Sequence, residues 1–167
     1  MPPAMSPLGI FHTIISLAAI PYGIIAFARA GRIDPHSHAG KGYMFTMLVG
    51  CLTAFGIYHH GGFGPGHVLS IVTLVFMAAG YFADRVAWLG RAAPYVQTIS
   101  LSITFFLLMF FTTTESLTRL PVSHPYAPSQ DAPELLPVRI VLLVGLVVGV
   151  AYQVVRLRGA MHTSLKS

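Results

Sequence analysis

The stretch Pro137–Val155, PVRIVLLVGLVVGVAYQVV, runs for nineteen residues with one charge, Arg139. A helix needs about 20 predominantly apolar residues to cross the hydrocarbon of a bilayer, and this run has that length and that composition. A membrane barrel strand would be about 10 residues long and alternate in polarity. The run is longer and apolar on every side, so it reads as a membrane helix.

Four further stretches read the same way: Gly9–Ala28, Ala39–Tyr58, Gly66–Ala83 and Pro94–Leu117. The whole composition agrees. Of 167 residues, 54% are hydrophobic and 9% charged, against about 25% charged in water-soluble domains, and the mean hydropathy is +0.71. The expectation is therefore an all-α polytopic membrane protein, five helices in one bundle, forming a single membrane domain over residues 1–167. Pro94 and Pro137 fall at helix starts, where a missing N–H costs nothing, whereas Pro21 lies inside the first span. The fourth span carries Gln97, Ser100, Ser102, Thr104 and Thr112 to Thr114, which suits a helix packed inside the bundle.

Charge placement orients the chain. The segment before the first span, MPPAMSPLGIF, has no basic residue, so the span reads as a retained helix rather than a signal peptide. Arg29, Arg32, Lys41, Arg85, Arg91, Arg156, Arg158 and Lys166 fall on one side, and only Arg119 and Arg139 on the other. The positive-inside rule then puts the N-terminus outside and the C-terminus in the cytoplasm. The net charge of +5 follows from that orientation. Nothing resembles an aromatic-interleaved basic patch, so no nucleic-acid partner is expected.

With this topology His12, His59, His60, His67, His124 and Glu115 all reach the outer rim, while His36 and His38 lie on the inner one. Neutral imidazole ligates zinc, copper or haem iron through one ring nitrogen. Two histidines on facing helices can clamp haem b, and three with Glu115 can form a zinc, copper or iron site. The candidate cofactor residues are His12, His67, His60 and His36, and the candidate metal ligands His12, His59, His60, His67 and Glu115. The glycines of HHGGFGPGH, residues 59–67, suit close approach of a flat cofactor or quinone ring and equally suit a tight turn. His124 sits in a proline-rich surface loop, and Met44, Met47 and Met77 read as packing residues.

Other chemistries lack support. Cys51 is the only cysteine, which excludes an intrachain disulfide or a cluster held by this chain alone. No GxSxG, HExxH, Walker or dinucleotide fingerprint is present. Two classes of function remain: a redox protein passing electrons between the quinone pool and the outer surface, and a non-enzymatic accessory or assembly subunit that meets a membrane-protein complex through its Gly145/Gly149 face.

Three stretches carry a family resemblance: FHTIISLAAIPYG with His12 and Gly23; HSHAGKGYMFTM with His36, Gly40, Tyr43 and Met47; and FGPGHVLSIVTL with His67. Over about residues 11–85 the chain resembles the bacterial predicted membrane proteins grouped as domain of unknown function 2306. The resemblance implies a small helical inner-membrane protein with His12 and His67 outside and His36 inside, and it implies no reaction. The family's pattern has a further His-Arg-Arg between the third and fourth helices. DRVAWLGRAAPY, residues 84–95, has no histidine there, which leaves His36 without that partner and His38 as a substitute.

Overall fold

The computed structural model describes residues 6–57 and 62–164. Among them the chain is helical throughout, with no strand: α1 (Pro7–Ala30), α2 (His38–Ala54), α3 (Pro65–Phe82), α4 (Ala93–Arg119) and α5 (Leu136–Ser164). Four helical segments are long and apolar enough to cross a membrane: Pro7–Ala30, Pro65–Arg85, Ala87–Arg119 and Pro133–Met161.

α2 is the exception. Its 17 residues rise about 25 Å at 1.5 Å per residue, short of a hydrocarbon core about 30 Å thick. The span expected to reach Tyr58 stops at Ala54, followed by tight turns in which Phe55, Gly56 and Ile57 donate to carbonyls three residues back. Tyr58 lies outside the described residues.

The helix starts follow local chemistry. The Ser6 hydroxyl accepts from the Gly9 N–H at 3.1 Å, with Pro7 opening α1. Ser37 does the same for Gly40 at 3.0 Å and also donates to the Asp34 carbonyl at 2.7 Å. Side-chain caps of this kind satisfy donors that the first turn leaves unpaired. Pro94 and Pro137 both fall in first turns, of α4 and α5.

The chain divides into two compact units, Met1–Thr104 and Phe105–Ser167, with the boundary inside α4. In the first unit α1 and α2 pair antiparallel at very short range. A Cβ added to Gly42 would come within 2.4 Å of the Tyr22 ring, and one added to Gly50 within 2.9 Å of the Ser16 hydroxyl. The register runs Tyr22 to Gly42, Ser16 to Gly50, Leu8 to Gly56. Small residues let helix backbones approach where the surrounding solvent is as apolar as the side chains.

Polar residues of α4 are buried as expected for Gln97, Ser100, Ser102, Thr104 and Thr114, with Thr98 besides. Thr112 and Thr113 are only half-buried. The central link is Tyr43, wholly buried, whose hydroxyl donates to Thr104 Oγ1 at 2.9 Å. Thr104 spends its own proton on the Leu101 carbonyl at 2.8 Å, so it serves Tyr43 as an acceptor. In the second unit Ala127, Ala132 and Leu135 form a small core against Leu117, under the loop that leads into α5.

Two stability predictions follow from these contacts. Tyr43→Phe is expected to lower unfolding free energy in detergent by about 1 kcal/mol, the net worth of a neutral hydrogen bond, read from denaturant-dependent circular dichroism. Gly40→Ala is expected to cost more, about 1–3 kcal/mol, because its Cβ would fall 1.7 Å from the Asp34 carbonyl oxygen, forcing backbone to move; an unchanged melting curve would contradict that close approach.

Candidate functional site

Antiparallel pairing brings the start of α1, the end of α2 and the start of α3 to one end of the first unit. His12 and His67 both lie there, and each is held by different chemistry.

His12 is half-buried. Its Nδ1 lies 3.1 Å from the Gly50 carbonyl oxygen and 3.0 Å from Thr53 Oγ1. The Thr53 hydroxyl proton is directed at the Val49 and Gly50 carbonyls, at 2.9 and 3.0 Å. Both neighbours of Nδ1 are thus acceptors, and Nδ1 must carry the ring proton. In the neutral imidazole the lone pair then resides on Nε2. A histidine whose Nδ1–H is anchored on a backbone carbonyl is in the tautomer and the fixed orientation that metal-ligating histidines adopt.

His67 is 5% exposed and has the opposite polarity. The Gly64 N–H donates to its Nδ1 at 3.1 Å, which closes the first turn of α3. With Nδ1 an acceptor, the proton of the neutral ring is on Nε2. The ring stacks on Phe63 at 5.0 Å and 24° and lies tilted to Phe55 at 6.1 Å. In this arrangement the neutral ring of His67 cannot present an Nε2 lone pair while it caps α3, whereas that of His12 carries its lone pair on Nε2.

The remaining expected ligands distribute unequally. His59 and His60 lie outside the described residues. Glu115 belongs to the second unit, where Arg119 donates to one of its oxygens at 2.7 Å and Gln130 to the other. Arg139 in turn donates to the Gln130 carbonyl and lies over the Phe110 ring at 5.3 Å, so the carboxylate ties the end of α4 to the following loop. His124 is exposed in that loop. Among the described residues no three histidine, cysteine or carboxylate side chains gather into a metal-holding group.

The other end of the first unit holds a second polar cluster. His36 Nε2 lies 3.0 Å from Asp84 Oδ2, and the two side chains are 46% and 47% exposed. The His36 backbone N–H donates to Asp34 Oδ1 at 2.9 Å, and its ring lies 5.9 Å from Tyr81. Arg32 donates to the buried Gln97 at 3.2 Å. His36 therefore pairs with a carboxylate rather than a histidine. The one signal for that partner in the sequence is the position of Asp84, directly after the third span.

Compared with known proteins, the chain matches no protein-family model, no curated protein and no solved structure.

The two clusters differ in what removal should cost. His67→Ala deletes a helix cap worth about 1 kcal/mol together with its aromatic packing, and should lower the melting temperature measurably. His36→Ala removes only a half-exposed pair, worth at most about 1 kcal/mol, and should shift it little. A reversed order of the two melting temperatures would contradict the structural role of His67.

Proposed function

We propose that this is a small multi-pass protein of the bacterial inner membrane, N-terminus outside and C-terminus cytoplasmic, whose outer histidines hold haem b or a single metal ion for membrane electron transfer. α2 counts as a fifth span in this reading, completed by the turns after Ala54, and the bias of the basic residues to one face, eight of ten, supports the orientation. The likeness to domain of unknown function 2306 adds His12 as a shared motif position.

The observation that carries the reading is His12. Its Nδ1–H is anchored on the Gly50 carbonyl and Thr53 hydroxyl, so its Nε2 is the nitrogen with ligating character, and it sits at a buried helix-helix contact where a polar side chain usually has a defined task. His67 supports the site by holding the start of α3, and His60, which follows Thr53 in the α2–α3 connection, is the second ligand this reading requires. A bound haem would supply a one-electron couple. The chain's part is to ligate, to exclude water around the ligand, and to leave an edge for a quinone or other electron partner.

A second reading has its own observation. On α5 a Cβ at Gly145 or Gly149 would meet nothing within 4 Å, and Val141, Val144 and Val148 beside them are more than half exposed. A face of that kind suits packing against a partner helix, as an accessory subunit of a larger membrane complex would do.

Visible spectra of the detergent-purified protein, oxidised and dithionite-reduced, with elemental analysis of the same sample, separate the two. The redox reading expects a Soret band with reduced α and β bands or a stoichiometric metal, lost in His12→Ala and retained in His67→Ala. A colourless, metal-free preparation from haem-replete cells would exclude it and leave the subunit reading, for which co-purification with a complex is the positive outcome.

A further inference from the structure

Between α2 and α3, away from the histidine end, lies an open groove of about 350 Å³ lined by Met44, Phe45, Leu48, Leu74, Met77, Ala78, Tyr81 and Phe82. Its lining is apolar almost throughout, and one of its walls, α3, is among the helices long and apolar enough to cross a membrane. In that setting an apolar groove accepts hydrocarbon, and the groups at its end decide which head the hydrocarbon carries.

Those groups are basic. The Arg85 guanidinium lies 5.2 Å from the Tyr81 ring centroid and 5.4 Å from that of Phe82, and both rings line the groove. On α2, Lys41 precedes Met44, Phe45 and Leu48 by three, four and seven residues, the spacing that puts a side chain on the same helix face. Because α2 and α3 run antiparallel, Lys41 at the start of one and Arg85 just past the end of the other mark the same end of the groove. Both are exposed, and neither forms an ion pair among the described residues. The nearest carboxylate in sequence, Asp84, is engaged by His36 at 3.0 Å. A guanidinium resting on aromatic rings keeps its N–H donors in its own plane, where they match phosphate oxygens.

We propose that this groove is a binding site for an anionic glycerophospholipid, with one acyl chain lying along Leu48, Leu74 and Ala78 and the phosphate held between Arg85 and Lys41. Basic pockets between membrane helices recognise acidic headgroups in this way. The site is independent of the outer histidines: it lies at the opposite end of the unit and requires no cofactor.

The full-length protein in a non-ionic detergent would be exchanged with equal amounts of dioleoyl phosphatidylglycerol and dioleoyl phosphatidylcholine, and bound lipid counted by native mass spectrometry. Phosphatidylglycerol should be retained over phosphatidylcholine, and Arg85→Gln and Lys41→Gln should each reduce that preference by about five-fold. Ala78→Trp, which fills the groove, should release lipid of either head while helix content by circular dichroism is unchanged; if that variant unfolds, the two charge variants decide alone. Equal retention of the two lipids, or a preference that survives in the double charge variant, would overturn the proposal. So would displacement of bound phosphatidylglycerol by decyl-ubiquinone, which would make the groove a quinone site.

Discussion

A hydroxyl or imidazole placed in hydrocarbon finds no water, so each polar group in these helices must find its partner inside the protein. Serine and threonine do so against their own helix: Thr13 donates to Gly9, Thr46 to Gly42, Thr53 to Val49, Ser70 to Gly66 and Thr118 to Thr114, all carbonyls four residues back. Once its proton is spent in this way a hydroxyl remains an acceptor only. Thr104 then receives the Tyr43 hydroxyl and Thr53 the His12 Nδ1–H. The same local habit therefore supplies both the buried link between α2 and α4 and the orientation of His12.

The two ends of the first unit use polar residues differently. At the histidine end His12 is half-buried and His67 buried, and backbone geometry dictates their tautomers: a carbonyl facing Nδ1 of His12, an amide facing Nδ1 of His67. At the other end His36 and Asp84 are half exposed, and arginines rest on aromatic rings or on Gln97. Enclosure at one end favours a fixed ligand geometry, and exposure at the other favours contact with lipid headgroups or water. The proposed redox site and the proposed lipid site thus fall where their chemistries require, at opposite ends of α2 and α3.

Parts of this were legible in the residues. The apolar runs over α1, α3, α4 and α5 announce themselves because bilayer thickness sets a length that few soluble helices share. Much of the buried face of α4 was readable from its polar residues, which pack inside a bundle more often than against lipid. The extent of α2 was not: its apolar run continues to Tyr58, and nothing in hydropathy reveals that the helix gives way to tight turns after Ala54. The resemblance leaves His36 without its histidine partner, and the carboxylate it meets instead, 48 residues away, depends on how α3 ends beside the α1–α2 connection.

The sequence by itself determined the helical class, the apolar character of the long segments and the presence of histidines at helix ends, because those follow from composition and from the periodicity of single segments. Tertiary structure decided where His12 carries its ring proton, whereas the first turn of α3 decides it for His67. His12 and His67 are alike as residues and occupy similar positions at helix starts, yet one donates from Nδ1 and the other accepts there. The difference comes from a carbonyl of α2 placed against His12 by close packing at Gly50, and from an amide of its own first turn placed against His67, and a ring nitrogen's protonation is set by the partner it meets in space.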